Sequence, residues 1–258
     1  MKVQIDLRKS VNENAGRYYD LVKKAKKKWE GAVDALRDSK KKLERLQSDE
    51  KKYLVEEEKK EKKRARKKEW YEKFHWFISS EGFLCFGGKD ATSNEIVVKK
   101  HVEKNDLVFH TELPGSPFFV IRNGQEAGEK TKEECAIATA CYSRAWKEGH
   151  SSAEVLYVLP EQVTKEAKAG EVVGRGSFMI YGKREILRVG VEYAIGIFDE
   201  EIVSGPITAV DSKTAKHVVV IPGREKKSSI AKLIKKKLGG GDVDDIVRFL
   251  PGTSAVKK

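Results

Sequence analysis

The chain has 258 residues, of which 39% are hydrophobic and 36% are charged, and its formal net charge is +12 at pH 7. Ten Phe, eight Tyr and four Trp are enough for a packed core, while the surplus of charge predicts a further element with little interior. The positive charge favours anionic partners, with nucleic acid ahead of acidic protein or a membrane surface. The alternative is a Lys/Glu-rich soluble protein of the kind found in heat-loving organisms.

The cysteines and the hydropathy pattern limit the location of the protein. Cys85, Cys135 and Cys141 lie in apolar segments without metal-ligand spacing, so we expect buried thiols. No apolar run approaches ~18 residues and no apolar leader follows Met1. We therefore expect a soluble, cytoplasmic protein with no membrane contact, no metal and no cofactor.

A heptad repeat occupies residues 10–46. Its recurring apolar residues are Ala15, Val22, Trp29, Leu36 and Leu43. Most are followed three or four positions later by a second apolar residue, which is typical of a coiled-coil seam. A polar stretch at 47–51 and a second helical stretch over 50–78 predict an antiparallel helical hairpin that occupies residues 1–78. A parallel dimer through the first arm is the competing interpretation.

A basic run, KKEKKRARKK, occupies residues 59–68. Such a run is usually a solvated helix face. Because no alternating Glu neutralises it, contact with phosphate is an equally supported interpretation.

Short β-rich segments dominate the chain after residue 74. They are FLCFGG (83–88), DLVFHTEL (106–113), FFVIRNG (118–124), AEVLYVLP (153–160), SFMIYGKR (177–184), VEYAIGIF (191–198), EIVSGPITAV (201–210) and HVVVIPG (217–223). Two helices interrupt them, each predicted from a capping-box pattern, Thr92-x-x-Glu95 and Thr131-x-x-Glu134. This arrangement predicts an α+β domain with a mixed or antiparallel sheet over 79–225.

The remaining residues, 226–258, predict three further features. KKSSIAKLIKKKL reads as a basic amphipathic helix, GGG at 239–241 as a linker, and DDIVRFLPGTSAV as a tail that can dock.

One glycine pair, Gly87-Gly88, is followed by Lys89 and Asp90 between a predicted strand and a predicted helix. Glycines let a ligand approach the backbone, and a helix start offers free N–H groups. The segment lacks the spacing of a Walker loop, and a tight strand-to-helix turn explains the glycines equally well.

Two more segments combine turn residues with polar side chains. LPGS at 113–116 predicts a type II turn, flanked by His110 and by Arg122. We interpret His110 as a hydrogen-bonded strand histidine in preference to an acid–base group. Residues 163–185 are basic and glycine-rich with interleaved aromatic residues, which is typical of a surface that follows a nucleic-acid backbone; a hairpin with solvated cations is the alternative.

Enzymatic activity is not predicted. The sequence has neither a nucleophile elbow nor a cluster with metal-ligand spacing. A nuclease built from His75, His110 and Asp90 would follow no known spacing rule.

Three segments in sequence order resemble a known family. WYEKFHWFISSEGFLCFGGKDATSNEIVVKK, HTELPGSPFFVI and GSFMIYGKRE are similar to successive motifs of the NFACT-R domain. This domain belongs to the ribosome-quality-control NFACT proteins of the NEMF and RqcH type, also described as fibronectin-binding-protein-A-like. VQIDLRKSVNENAGRYYDLVKKAKKK resembles the start of the coiled coil that precedes the domain. The resemblance extends from Val3 to near His217 and is greatest to archaeal members.

The resemblance implies partners and site residues. Family members bind a large ribosomal subunit that holds a stalled peptidyl-tRNA, through tRNA and rRNA. The residues that match the three family loops are Gly87, Gly88, Lys89, Asp90 and Asn94, then His110, Pro114, Gly115 and Ser116, then Gly176, Ser177, Phe178, Met179, Gly182 and Lys183. The family's NFACT-N domain and helix-hairpin-helix segment have no counterpart in these residues, so tail synthesis by this chain alone is in doubt.

We therefore predict a non-enzymatic RNA-binding and ribosome-binding module. The residues expected to contact phosphate are Lys89, Arg122, Lys165, Arg175 and Lys183. The residues expected to hydrogen bond are Asp90, Asn94, His110 and Ser177. The remaining candidates are Gly87, Gly88, Gly115, Ser116, Gly176 and Arg184.

Two other classes of function stay open. The first is a scaffold whose coiled coil binds a ubiquitin-ligase-like or ribosomal protein without direct RNA contact. The second is a small nuclease, whose activity would depend on His110.

Overall fold

The structure is a computed structural model that describes residues 3–65, 68–113, 115–166 and 174–257, with side chains except at 48 and 50–65. The chain divides into two compact units, Met1–Lys68 and Glu69–Lys258. In the described part of the chain, no helix is both long enough and apolar enough to cross a membrane.

The first unit is an extended segment followed by one helix, α1 (Val11–Ala65), of 55 residues. Ser10 and Glu13 form a capping box at its start: the Glu13 carboxylate accepts a hydrogen bond from the Ser10 N–H at 2.8 Å, and the Ser10 hydroxyl accepts one from the Glu13 N–H at 3.3 Å. The Asn14 carboxamide holds the extended segment against the helix through two hydrogen bonds to the backbone of Asp6, at 2.9 and 3.0 Å.

The helical hairpin predicted for residues 1–78 is not confirmed, because α1 continues through 47–51 without a break. That segment contains neither Gly nor Pro, and each of its residue types costs less than ~0.7 kcal/mol in a helix interior. A polar composition alone therefore does not end a helix. The side chains of the basic run at 59–67 lie outside the described residues.

The second predicted arm is wrong over its last residues. Trp70–Lys73 form a single 3-10 turn, and His75–Ile78 form a strand, β1. Alternate side chains of β1 point to opposite sides, since Phe77 packs in the main core and Trp76 packs in a separate cluster. Of the aromatic residues that resemble the end of a helical seam, Phe77 thus belongs to a β-strand, whereas Trp70 lies in the 3-10 turn and Phe74 follows it.

Over residues 69–113, 115–166 and 174–257, the second unit contains three antiparallel sheets. Its remaining strands are β2 (Leu84–Gly87), β3 (Leu107–Thr111), β4 (Phe119–Ile121), β5 (Ser152–Val158), β6 (Val163–Thr164), β7 (Met179–Ile180), β8 (Glu185–Gly190), β9 (Tyr193–Phe198), β10 (Glu201–Gly205), β11 (His217–Glu225) and β12 (Ser254–Val256). The six-stranded sheet has the order β1-β2-β4-β3-β5-β8, the four-stranded sheet β10-β9-β11-β12, and β6 pairs with β7. The predicted α+β class is confirmed.

Short helices connect and cover these sheets. They are α2 (Ala91–Ile96), which continues as a π-helical turn at Val97–His101, α3 (Glu129–Cys141), α4 (Arg144–Glu148), α5 (Ile207–Asp211), α6 (Lys227–Leu238) and α7 (Val243–Phe249). The three cysteines are free and buried, as predicted.

At its central strands, the six-stranded sheet is buried on both faces. On β4, Phe119 and Ile121 point into the main core with α3, while Val120 points into the cluster that contains Val97 of the α2 extension. Because successive strand residues face opposite sides, a strand covered on both faces is apolar throughout. The continuous apolar runs in the sequence, such as FFVI, follow from this.

The capping boxes predicted at Thr92 and Thr131 are wrong. Asp90 caps α2, because its carboxylate accepts a hydrogen bond from the Ser93 N–H at 2.7 Å. Thr131 lies inside α3, where its hydroxyl bonds to the Ser79 hydroxyl at 3.0 Å, and the Glu134 carboxylate accepts from the Ser80 N–H at 2.9 Å. These buried side chains connect α3 to the turn after β1 instead of capping a helix.

Residues 226–257 pack into the second unit. Ile230, Ile234 and Leu238 of α6 are buried in the main core. Gly239 ends α6 in the left-handed conformation, at φ 68°, and β12 pairs with β11. The predicted basic helix is confirmed, and the glycine segment is a tight turn between packed helices.

The heptad residues of α1 are exposed in this chain. The exposed fraction is 64% for Val22, 67% for Trp29 and 59% for Leu36. Since most helix stability in proteins comes from packing of an apolar face, α1 should be the less stable unit.

We expect backbone amides of residues 11–46 to exchange with deuterated solvent much faster than those of β3 and β5 when the chain is monomeric, because local opening of an unpacked helix costs little. Hydrogen exchange read by mass spectrometry at two protein concentrations measures this. Slow exchange of 11–46 at both concentrations would contradict it, and protection that grows with concentration would indicate that a second copy covers the seam.

Candidate nucleic-acid interface

Three loops of the second unit meet around a cavity of about 350 Å³. We call them the first loop (87–90, after β2), the second loop (112–118, between β3 and β4) and the third loop (174–178, before β7). Ten of the fifteen predicted site residues line the cavity: Gly88, Lys89, Asp90, Asn94, His110, Gly115, Ser116, Arg175, Gly176 and Ser177. Segments that are far apart in the sequence are thus brought together. Pro114 lies outside the described residues.

Asn94 joins the first loop to the second. Its side-chain oxygen accepts a hydrogen bond from the Phe118 N–H at 3.1 Å, and its amide nitrogen donates to the Ser116 carbonyl at 3.3 Å. A Cβ at Gly88 would lie 2.1 Å from that oxygen, so only glycine fits there. With both polar atoms engaged and only 8% of its surface exposed, Asn94 positions the second loop.

The second loop is also held from within. The Ser116 hydroxyl is buried and accepts a hydrogen bond from the Thr111 N–H at 3.3 Å. His110 Nδ1 lies 3.0 Å from the Pro117 carbonyl oxygen, which can only accept, so the proton resides on Nδ1. The imidazole stacks on Phe118 with ring centres 4.1 Å apart. Burial lowers the pKa of His110, which favours the neutral ring, whose Nε2 is an acceptor.

The third loop packs against the start of α2. Gly176 has a φ of 75°, and a Cβ there would lie 2.4 Å from the Ala91 backbone. Its N–H donates to the Glu95 carboxylate at 3.4 Å. Lys165 pairs with the same carboxylate at 3.5 Å and donates to the Gly174 carbonyl at 3.2 Å. Through these two contacts Lys165 stabilises the third loop, and it does not line the cavity.

Charged side chains stand at the rim. Lys89 is exposed and donates to the Lys73 carbonyl at 2.8 Å, and partial desolvation, with nearby Arg248, lowers its pKa. Arg175 is exposed. Hydrogen bonds from Ser93 lower the pKa of Asp90, with a smaller contribution from Arg175.

The floor contains a residue that the sequence did not single out as part of the interface. His75 of β1 stacks on Tyr142 with ring centres 3.7 Å apart. Gly87 lies opposite His75 on one side and Phe119 on the other. A Cβ at Gly87 would lie 2.4 Å from the Phe119 ring, so Gly87 makes room for this aromatic row and does not itself line the cavity.

His75 is neutral. It is half-buried by surface area, yet the surrounding protein and the cations Lys89 and Lys227 lower its pKa to about 3, with burial the largest cause. Among the described residues, neither ring nitrogen has a hydrogen-bond partner. The ring therefore presents one donor and one acceptor to the cavity.

Arg122 does not reach the cavity. Its guanidinium bonds to the fully buried Asp106 at 3.0 Å and to the His101 carbonyl at 2.8 Å, and it lies over the rings of Trp70 and Phe86. Burial raises the pKa of Asp106, which the charge of Arg122 opposes. Arg122 thus compensates a buried carboxylate in the core.

Lys183 and Arg184 also lie outside the cavity. Lys183 is exposed and pairs with Glu185 at 2.7 Å. Arg184 lies 3.4 Å from the carboxylate of Glu112, a rim residue, and donates to the Ile180 carbonyl at 3.1 Å. Arg184 therefore contacts Glu112 at the rim but does not itself line the cavity.

No group of three or more His, Cys, Asp or Glu side chains suited to a metal ion occurs within the described ranges. The polar groups of the cavity are neutral imidazoles inside and charged side chains at the mouth, and glycines bring the backbone close.

Comparison with known proteins gives a family match within the second unit. Residues 73–182 match the sequence model described as the NFACT protein RNA binding domain, a range that includes all three loops and β1. The chain therefore contains a region that is similar to the NFACT-R domain. The resemblance inferred from the three segments is confirmed.

Its relatives are longer proteins. The archaeal Rqc2 homolog aRqcH of Methanocaldococcus jannaschii is 39% identical over 203 residues, which are 75% of this chain and 30% of that protein. The ribosome quality control complex subunit NEMF homolog of Drosophila melanogaster is 38% identical over 187 residues, 72% of this chain and 18% of that protein. The chain thus spans less than a third of either.

A more distant likeness exists among solved structures. The C-terminal part of the fibronectin/fibrinogen-binding protein from Streptococcus suis matches with a TM-score of 0.40 and 19% identity, over 48% of this chain and 47% of that chain. This similarity is too low to bear on the site.

The pKa of His75 leads to a prediction about acid stability. Its folded value of about 3 lies below the ordinary 6.5, so the unfolded chain binds an extra proton between these values and the free energy of unfolding falls as the pH drops through this range. His75→Phe keeps a ring on Tyr142 and removes the titration. Relative to the wild type, the variant should gain ~1–3 kcal/mol between pH 7 and pH 4, as measured by urea denaturation. Parallel stability–pH curves would show that His75 is not buried in its neutral form.

Proposed function

We propose that this chain is the RNA-binding module of a ribosome-associated quality-control factor. The observation that carries the proposal is that the range matching an RNA-binding family, 73–182, forms a cavity with two cations, Lys89 and Arg175, at its rim. The net charge of +12 supports the same assignment, because contacts to phosphate supply much of the affinity of proteins for nucleic acids.

The rim is suited to a phosphate backbone. Arg175 offers a planar set of donors that matches phosphate oxygens. Lys89 donates one N–H to the Lys73 carbonyl, which leaves two donors of its ammonium group for a ligand. The left-handed glycines Gly115 and Gly176 carry no side chains that would hold a ligand away from the loops.

The partner we propose is the large ribosomal subunit, contacted through tRNA or rRNA. Both relatives described above are named as Rqc2 or NEMF homologs, and the latter name refers to a ribosome quality control complex. Because the chain covers only a part of those proteins, the step that we propose for it is recognition of the large ribosomal subunit.

We further propose binding in place of catalysis. A general acid must carry a transferable proton near the working pH, whereas the pKa of His75 is about 3 and the Nδ1 proton of His110 is engaged by the Pro117 carbonyl. A nuclease mechanism that uses either imidazole as an acid therefore lacks support.

A protein-interaction scaffold is the second candidate function. The exposed heptad residues of α1, with Trp29 at 67% exposure, favour it, because an apolar stripe of this kind is typical of a helix that binds another helix. A scaffold of this type would bind its partner through residues 11–46 and would not need the cavity.

Salt dependence distinguishes the two. Arg175→Ala and Lys89→Ala should each weaken binding of the full chain to isolated large subunits and to tRNA, and each should reduce the slope of log affinity against log salt by ~0.7–0.9 if one phosphate contact is lost. Filter binding over a salt series measures both quantities.

Lys232→Ala is the matched control, because Lys232 is an exposed lysine on α6 and does not line the cavity. Equal loss in Lys232→Ala and Lys89→Ala would mean that only net charge matters. Binding to subunits with a flat salt response, unchanged by all three substitutions, would favour the scaffold.

A further inference from the structure

The interior of the cavity differs chemically from its rim. Inside lie uncharged aromatic rings, namely His75, His110, Tyr142 and Phe178, whereas Lys89, Asp90, Glu112 and Arg175 stand outside them. A volume of about 350 Å³ is at the small end of the range for small-molecule sites, ~300–1,000 Å³. The interior can therefore admit one ring system with its substituents, and not a duplex.

Hydrogen-bonding groups in the interior are left without partners. His75 has no hydrogen bond to either ring nitrogen in the described part of the chain, and His110 uses only Nδ1. These nitrogens are not among the fully buried polar atoms that lack a partner, so they are accessible to water, and a ligand that supplies both a donor and an acceptor in one plane can replace that water. The edge of a nucleobase has this arrangement.

The rings also offer stacking surfaces. His75 and Tyr142 form one stacked pair and His110 and Phe118 form another, with centre distances of 3.7 and 4.1 Å. An unpaired base gains ~1–3 kcal/mol by stacking on an aromatic side chain. A planar heteroaromatic ring thus suits the interior by shape and by hydrogen bonding.

We propose that the cavity holds one unstacked nucleotide of single-stranded RNA, with the base among His75, His110 and Tyr142 and a phosphate at Arg175 and Lys89. This inference rests on the proposed function and adds to it that the chain recognises an unpaired base and not the backbone alone. A double helix is excluded as the ligand of the cavity, because its bases are stacked and paired and cannot enter.

The test compares three RNAs of eight nucleotides with the full wild-type chain at one salt concentration: a single-stranded adenosine oligomer, the same ribose-phosphate chain without bases, and a duplex. Fluorescence anisotropy gives each dissociation constant. We expect the abasic chain to bind about tenfold more weakly than the oligomer, in keeping with stacking of one base, and the duplex to show no advantage over the abasic chain.

His75→Phe shows whether the base lies in the cavity. The variant keeps the stack on Tyr142 and loses the unpartnered nitrogens, so the preference for the oligomer over the abasic chain should fall several-fold while the affinity for the abasic chain stays the same. His101→Phe is the matched control, because this ring stacks on Trp70 at 4.4 Å and does not line the cavity; it should keep the wild-type preference.

Each other outcome overturns the inference. Equal binding of the oligomer and the abasic chain to the wild type removes the base from the site and leaves the proposed function intact. A preference that His75→Phe and His101→Phe reduce equally, or not at all, places the base elsewhere. If no RNA binds, including tRNA and large subunits, both the inference and the proposed function are wrong. The wild-type comparison does not depend on the folding of any variant.

Discussion

The cavity depends on the two hydrogen bonds that the carboxamide of Asn94 makes. The carboxamide bonds to the backbone of Phe118 and of Ser116, so one buried side chain on α2 determines the path of the second loop. Loss of the carboxamide would leave two buried backbone groups without partners, at a cost of ~1–3 kcal/mol each. The position of His110, whose Nδ1 is bound to the same loop at Pro117, follows from this.

The glycines of the three loops serve the packing of the protein as much as any ligand. Gly88 makes room for Asn94, Gly87 for the Phe119 ring, and Gly176 for the backbone at Ala91. Only then do the loops come close enough to enclose a cavity, while the cations remain at its mouth. A Gly and Lys pattern of this kind suggests a phosphate-binding loop. In this structure the glycines are required because the segments pack closely together, and the cavity forms where these segments meet.

Local patterns in the sequence predict part of this structure. All eight predicted β-rich segments contain a strand, because alternation and apolar content are local properties. The strand at 75–78 was not predicted, since aromatic residues near the end of a heptad fit a helix equally well. The position of Thr131 likewise resembles a cap, but its hydroxyl bonds to Ser79, 52 residues away, and no local rule reports such a contact. The predicted hairpin is not confirmed, because a polar segment without Gly or Pro does not end a helix.

The residues of the candidate site were likewise predicted only in part. Nine of the ten cavity residues match the family segments, and Arg175 was predicted from the basic, glycine-rich composition of 163–185, whereas spacing alone predicted no cavity. Arg122, predicted to contact phosphate, lies outside the cavity and bonds to the buried Asp106; a cation beside a turn has no sequence mark that separates these two roles. His75 and Tyr142 were missed as interface residues because their stacking joins a strand to the end of a distant helix.

The most direct measurement is photochemical cross-linking of 4-thiouridine-containing RNA to the full chain, with the modified peptides mapped by mass spectrometry. Adducts within 75–178, at the rings and loops of the cavity, are the predicted result; adducts confined to α1 or α6 would contradict the account.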